Sequence, residues 1–384
     1  MTINFNVAVS ETTPKDAVLY ISGSAEELGQ WDGKGLKLRH DVDGIYRGSY
    51  KTERGQVAYK VTRGGWDTVE KAANGGEIEN RRLDIRGDMS VNITIEAWAD
   101  DFAYSKNPIK NSVTGKLIIH EKMKSEYLSL PRNVRVYLPP DYDKNEAKRF
   151  PVLYMHDGQN LFDVATSAFG FEWEVDDNAE KLINEGRMES IIVVGIDNTS
   201  MRSDEYTPTR SKVHLSGGLA ENYAQFLIKE LKPFIDETYR TKPEKEFTGT
   251  SGSSLGGLIS LYLGAAHPEV FSRIGSVSPA LGWDNDQIIR DYSDNRKEYS
   301  KHWKNMRIWV DMGTLEGDIG GGGMCTVKLA EEITNIFADS GMKDGEEYKL
   351  YIAEDGLHNE SAWAQRIDKI LMYLYPPNKN EAKD

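Results

Sequence analysis

The stretch Phe247–Ser260, FTGTSGSSLGGLIS, holds four serines, four glycines and no charged residue, in a chain that is 28% charged. Within it, Gly252-Ser253-Ser254-Leu255-Gly256 sets a G-x-S-x-G spacing around Ser254. A strand candidate precedes it, and a helical pattern, LGGLISLYLGAAHPEVF, follows. That is the setting of a nucleophile elbow, where a sharp strand-to-helix turn presents a serine hydroxyl. Side chains two positions to either side would collide with such a turn, which explains the glycines. The helix behind it offers backbone N–H groups and a positive dipole end to a developing oxyanion. None of Ser251, Ser253 and Ser260 has glycine two positions away on both sides, so Ser254 is the candidate nucleophile.

Outward from the elbow, strand and helix patterns alternate. RNVRVYLPPDY, FPVLYMHDG, ESIIVVGIDN, MRIWVDMG and YKLYIAEDG read as strands. The third is a continuous β-branched run, as in strands buried on both faces. EVDDNAEKLINEG, GLAENYAQFLIKELKPFIDETY and TVKLAEEITNIFADSG read as helices. The alternation predicts an α/β domain with a mostly parallel central sheet over residues 116–384. Residues 1–99 read differently. AVLYISG, GIYRGSYKT, GQVAYKVTRGGW and SVNITIEAW are short strand runs between turn signals, which predicts a small all-β sandwich. The polar, aperiodic stretch 100–115 reads as a linker.

A serine hydroxyl needs a base. In the α/β-hydrolase order the acid and then the histidine follow the serine. His267, His302 and His358 follow Ser254. His267 directly precedes Pro268 near the end of the elbow helix and reads as a cap, and His302 sits in a charged segment, SKHWKN. His358, in the loop after YKLYIAEDG, has the address a base requires at the C-terminal edge of the sheet. The loop after MRIWVDMG offers Glu316 as the acid, with Asp311 or Asp318 as the replacement. The oxyanion donors are expected from the backbone of Leu255 and of Gln159, with Asn160 close behind. The Gly320–Gly323 run lacks the residues of a phosphate loop and reads as a loop beside the site.

Net charge is −14, which argues against nucleic acid or an anionic membrane surface as a partner. No apolar run of about 18 residues is present to span a membrane. The single cysteine, Cys325, cannot form an internal disulfide, and no Cys/His cluster has zinc-ligand spacing. The N-terminus, MTINFNV, shows no signal-peptide pattern, which leaves open a cytoplasmic protein or one whose export signal was removed. Oligomeric state is not legible.

YMHDGQNLFD, IIVVGIDNTSMRSDEYTPTR, FLIKELKPFIDETYRT, GSSLGGLISLYLGAAHPEVFSRIGSVSPALGW, DMGTLEG and DGLHNESAW together resemble the esterase family that includes esterase D-like proteins, enterobactin esterases and feruloyl and acetyl xylan esterases. The likeness runs from about Gly115 to Leu374. It implies an α/β-hydrolase that cleaves carboxylic esters through an acyl-serine, without metal or other cofactor. Ser254 would be the nucleophile, His358 the base and Glu316 the acid, although some members work with a Ser-His dyad. A periplasmic or secreted location is also implied. FTGTSGSS departs from the apolar strand usual before the elbow. GSAEELGQWDGKGLKL, VAYKVTRGGWDTVEK and ENRRL resemble a starch-binding-type carbohydrate-binding module, which implies Trp31, Lys60, Trp66 and Asn80 as sugar contacts. Val69 stands where starch binders usually carry a tryptophan beside the glutamate.

Trp173 and Trp283 fall near expected site loops and are candidates to line a pocket for an aryl acyl group, together with Phe162 and Trp363. Arg202 and Arg210 flank SDEYTPT and would hold a polar substrate part, or pair with Asp204 or Glu205. The expected substrate is a feruloyl or acetyl ester on a polysaccharide or oligosaccharide. One alternative is a catecholate siderophore trilactone. Another is a carbohydrate-binding protein with an inactive hydrolase domain.

Overall fold

The computed structural model describes residues 1–53, 55–73, 78, 80–101, 111–167, 170–319, 323 and 325–377. Two compact units divide the chain. The first is Met1–Asn107 with the short segments Ala168–Gly170 and Ser211–Ser216, and the second is the remainder. Most of the stretch read as a linker, residues 102–110, lies outside the described residues.

The first unit stacks two four-stranded sheets. One runs Arg39–His40, Tyr46–Lys51, Thr2–Ala8, Met89–Thr94; the other runs Leu36–Lys37, Tyr20–Gly23, Gly55–Thr62, Arg81–Ile85. Ile3, Phe5, Val7, Ile21, Tyr59, Val61, Ile93 and Trp98 fill the layer between. The strand Thr2–Ala8 was not expected from the sequence. Asn4 and Asn6 interrupt its hydrophobicity, yet Ile3, Phe5 and Val7 alternate inward with the period of two that buries one face.

In the second unit, eight strands form one sheet: β1 (Lys116–Met123), β2 (Arg132–Leu138), β3 (Val152–His156), β4 (Ile192–Ile196), β5 (Thr248–Ser253), β6 (Arg273–Val277), β7 (Arg307–Gly313) and β8 (Tyr348–Ala353). Their order is β1-β2-β4-β3-β5-β6-β7-β8. β2 pairs antiparallel with β1 and β4, and every pairing from β4 through β8 is parallel. This is the α/β-hydrolase fold. The order reverses around β3, and the loops leaving the C-terminal ends of β3, β5, β7 and β8 open on one edge of the sheet, where ligands of open α/β sheets bind.

The helix expected over GLAENYAQFLIKELKPFIDETY is broken. Ala220–Gln225 and Lys232–Thr238 are α-helical, with a wider π turn over Phe226–Leu231 between them. Pro233 supplies the reason: it lacks an N–H and crowds the carbonyl four residues back.

The polar strand before the elbow also finds its explanation. β5 lies in the middle of the sheet and is buried along its whole length. Two of its hydroxyls have named partners: Thr248 Oγ1 donates to the Glu244 carbonyl (3.1 Å), and Thr250 Oγ1 lies 3.0 Å from His156 Nε2. The Ser251 hydroxyl is buried with no partner. A larger side chain does not fit along this strand. A Cβ on Gly249 would stand 2.5 Å from the Tyr375 hydroxyl.

Candidate active site

Ser254 sits between β5 and the helix Leu255–Ala266, with φ 59° and ψ −119°. This left-handed conformation strains a non-glycine residue and needs surrounding structure to hold it. Backbone bonds fix it on both sides: Ser254 N donates to the Val277 carbonyl (3.0 Å), and Ala280 N donates to the Ser254 carbonyl (3.0 Å). Gly252 cannot carry a side chain here, because a Cβ would come within 3.0 Å of His156 Cβ and 3.1 Å of the Gly256 backbone. Leu255 opens the helix, so its N–H belongs to the first turn, which has no intrahelical acceptor.

His358 follows β8, and its Nδ1 lies 2.9 Å from Glu316 Oε2. Glu316 is fully buried just past β7, at the start of the short helix Glu316–Ile319. Its other oxygen, Oε1, accepts from Gly313 N (2.7 Å), Ser278 Oγ (2.6 Å) and Arg366 Nη2 (3.3 Å). The carboxylate is therefore held at one oxygen and turned toward the imidazole with the other. Ser278 links this group to the elbow. It follows Val277, the partner of the Ser254 N–H, and its own hydroxyl accepts from Trp363 Nε1 (2.9 Å) and Arg366 Nη2 (2.6 Å). Asp311 stands apart from the histidine. It accepts from Arg366 (2.9 Å), Trp309 Nε1 (2.6 Å) and Ser278 N (3.1 Å). The side chain of Asp318, the other acid candidate, lies outside the described residues.

Burial of His358 works against its charged form, but the neighbouring Cys325 sulfur and Glu316 carboxylate outweigh this and push its pKa up to about 10. The Trp363 ring meets the His358 ring edge-on at 5.0 Å.

The loop after β3 carries Gln159 and Asn160 in a single 3-10 turn. The Asn160 N–H is already used, donating to the Asp157 carbonyl (2.9 Å), and its side-chain amide donates to Glu360 (3.2 Å), two residues past His358. Gln159 is anchored by its side chain, which accepts from Asn198 N (3.1 Å). Behind this loop His156 is buried between Tyr223 and Thr250, and burial lowers its pKa to about 3, so the ring is neutral.

The expected substrate contacts are revised. Trp173 and Trp283 are each only 3% exposed. Trp173 packs on Trp363 at 5.5 Å, and the Trp283 indole donates to the Thr209 carbonyl (3.0 Å). Both are core side chains, because neighbouring elements cover their faces. Arg202 forms a two-pronged ion pair with Asp157 (2.8 Å at each contact), a partner the sequence did not suggest. Glu205 instead pairs with buried Arg132 (2.9 Å), and Asp204 accepts from Gly217 N (2.7 Å). The Arg202 guanidinium is committed to Asp157, which removes it as a free anion hook.

In the first unit, Trp31 and Trp66 lie side by side, ring centroids 6.0 Å apart at 35°, and the Trp66 indole donates to the Trp31 carbonyl (3.0 Å). Both are half-buried, as is Asn80 at the head of Arg81–Ile85. Lys60 is buried within its strand at 7% exposure, so it is not the exposed sugar donor expected.

Ser278 and Arg366 escaped the sequence reading, and Cys325, weighed there only for a disulfide or local zinc-ligand spacing, was not placed beside His358. An arginine in an amphipathic helix pattern reads as a surface residue, and a serine before proline reads as a turn. Neither carries a local signal of burial beside a carboxylate.

An α/β-hydrolase sheet with a strained serine at its elbow defines the class of protein. Residues 125–374 match the family described as Putative esterase; the chain belongs to this family and is a carboxylic ester hydrolase. It is 24% identical over 263 residues to the uncharacterized protein YbbA of Bacillus subtilis, covering 67% of this chain and 97% of that one. A 100-residue stretch, 26% of the chain, is 38% identical to 8% of an alpha-amylase from Niallia circulans. Among solved structures, a ferulic acid esterase matches with TM-score 0.53 and 16% identity, over 68% of this chain and 97% of that one. The enterobactin esterase FES of Shigella flexneri matches with TM-score 0.52 and 16% identity, over 95% of this chain and 89% of that one. These two structural likenesses show the fold.

Proposed function

We propose that the chain hydrolyses feruloyl or acetyl esters carried on carbohydrate, through an acyl-enzyme on Ser254. The observation that carries the mechanism is the strained Ser254 at the elbow together with the 2.9 Å contact between His358 and Glu316. Ser254 Oγ attacks the ester carbonyl carbon and passes its proton to His358. Glu316 accepts from Nδ1–H, which leaves Nε2 as the basic nitrogen and stabilises the imidazolium. The carbonyl oxygen becomes an oxyanion facing the N–H groups of Leu255 and Gln159. Collapse breaks the C–O bond, and the alcohol leaves with the proton from His358. Water then repeats the sequence on the acyl-serine and releases the acid.

The carbohydrate side of the reading is supported by the amylase-like stretch and by the paired indoles of Trp31 and Trp66. Aromatic faces suit stacking on sugar rings. Affinity electrophoresis in gels containing soluble starch or xylan checks this directly. Retardation of the wild type, lost in a Trp31→Ala/Trp66→Ala double variant, is the expected result. Equal migration of both chains in every gel would leave the sandwich without a glycan role.

Substrate class is tested on a panel of methyl ferulate, an acetylated xylo-oligosaccharide, p-nitrophenyl acetate and a catecholate trilactone. Preference for ferulate or the acetylated sugar is expected. Preference for the trilactone would replace this reading with siderophore hydrolysis.

The base must be neutral to accept the serine proton, so kcat/KM rises as His358 deprotonates. Because its neighbours raise its pKa, the rise is expected to continue well above pH 7. A pH–rate profile already level by about pH 7, as for an unperturbed imidazole, would contradict this.

A further inference from the structure

Cys325 is buried, at 1% exposure, and in the ester chemistry described above it transfers no proton or group and acts only as a neighbour of His358. Its sulfur is nevertheless part of a cluster. One donor atom from each of Glu316, Cys325 and His358 lies within 4.8 Å of the other two, and among the described residues this is the one such group of three. We propose that Glu316, Cys325 and His358 form an inhibitory site for a thiophilic divalent cation such as Zn2+. The effect on activity rests on the catalytic reading above, whereas the binding itself does not.

The donor set carries the choice of ion. A thiolate, an imidazole and a carboxylate suit Zn2+, while Mg2+ and Ca2+ prefer all-oxygen shells. Zinc bonds of about 2.0–2.3 Å set tetrahedral ligand atoms about 3.3–3.7 Å apart, so the Cys325 sulfur moves in while the His358–Glu316 contact opens slightly, and three protein ligands leave a fourth position open. The carboxylate is prepared for this. Gly313 N, Ser278 Oγ and Arg366 hold Oε1, so Oε2 is the oxygen presented to His358 and to an incoming ion. Binding breaks no covalent bond between heavy atoms. The metal replaces the Cys325 thiol proton, which leaves to solvent, and takes Nδ1 of His358, whose ring keeps one proton, on Nε2. An imidazole fixed on the metal no longer exchanges a proton with Ser254, so hydrolysis stops.

The test is a titration of the full chain with Co2+ in metal-free buffer, followed by near-ultraviolet absorption, and a parallel Zn2+ titration of p-nitrophenyl acetate turnover. A sulfur-to-cobalt charge-transfer band saturating at one ion per chain is expected, with Zn2+ inhibition reversed by EDTA. Cys325→Ser and Cys325→Ala are both expected to lose the band and to weaken Zn2+ inhibition by at least about 10-fold, read as the ratio of rates with and without Zn2+. Two variants guard against one that folds poorly. Ser254→Ala is expected to keep the band. If the Ser254→Ala variant stays active, the catalytic reading fails while the band still reports on the metal site. Absence of the band in the wild type, or Zn2+ inhibition unchanged in both cysteine variants, would overturn the proposal.

Discussion

Ser254→Ala is expected to lower kcat on p-nitrophenyl acetate by about 10^4- to 10^6-fold, the range seen when a serine hydrolase loses its nucleophile. The residue occupies φ 59°, which alanine tolerates no better than serine, so the change removes the hydroxyl without relieving the turn. Circular dichroism and the denaturation midpoint of the variant should match the wild type. A variant that keeps more than about a tenth of the wild-type rate would place the nucleophile elsewhere.

The second large effect is expected at Glu316. Glu316→Gln should lower kcat by about 10^3- to 10^4-fold with KM little changed. The reason lies in the hydrogen bonds. Gly313 N, Ser278 Oγ and Arg366 all donate to Oε1, so the carbonyl of a glutamine takes that position. Its NH2 group then faces His358 Nδ1 and stabilises the tautomer with the proton on the wrong nitrogen. Asp311 provides the contrast. Asp311→Asn leaves the contact between Glu316 and His358 intact but weakens the buried pair with Arg366, so it is expected to cost stability, about 3 kcal/mol by urea denaturation, more than rate. A loss of only a few-fold in Glu316→Gln would mean that Ser254 and His358 act as a dyad.

Elements with a strong local signal are legible from the residues alone. Apolar runs marked β3, β4 and β7, and the G-x-S-x-G turn located Ser254 as the candidate nucleophile, because glycine is required where a Cβ collides with its surroundings. The order serine, acid, histidine narrowed the candidate base to His358, in a loop after the last strand. Thr2–Ala8 and β1 were missed, because strands that alternate polar with apolar residues resemble polar coil. Among residues that carry the same chemistry at different depths, the choice comes from the fold. Glu316 and Asp311 are both buried carboxylates near the end of β7, and which one meets His358 depends on where Arg366 and Ser278 lie after folding. Trp173 and Trp283 look like pocket walls in a sequence and prove to be core, since burial depends on what packs against a side chain and not on its type. The same holds for Arg202, whose partner Asp157 is 45 residues away along the chain and 2.8 Å away in space. Such pairings belong to the fold, because loops from distant strands meet at the edge of the sheet and no local spacing encodes the meeting.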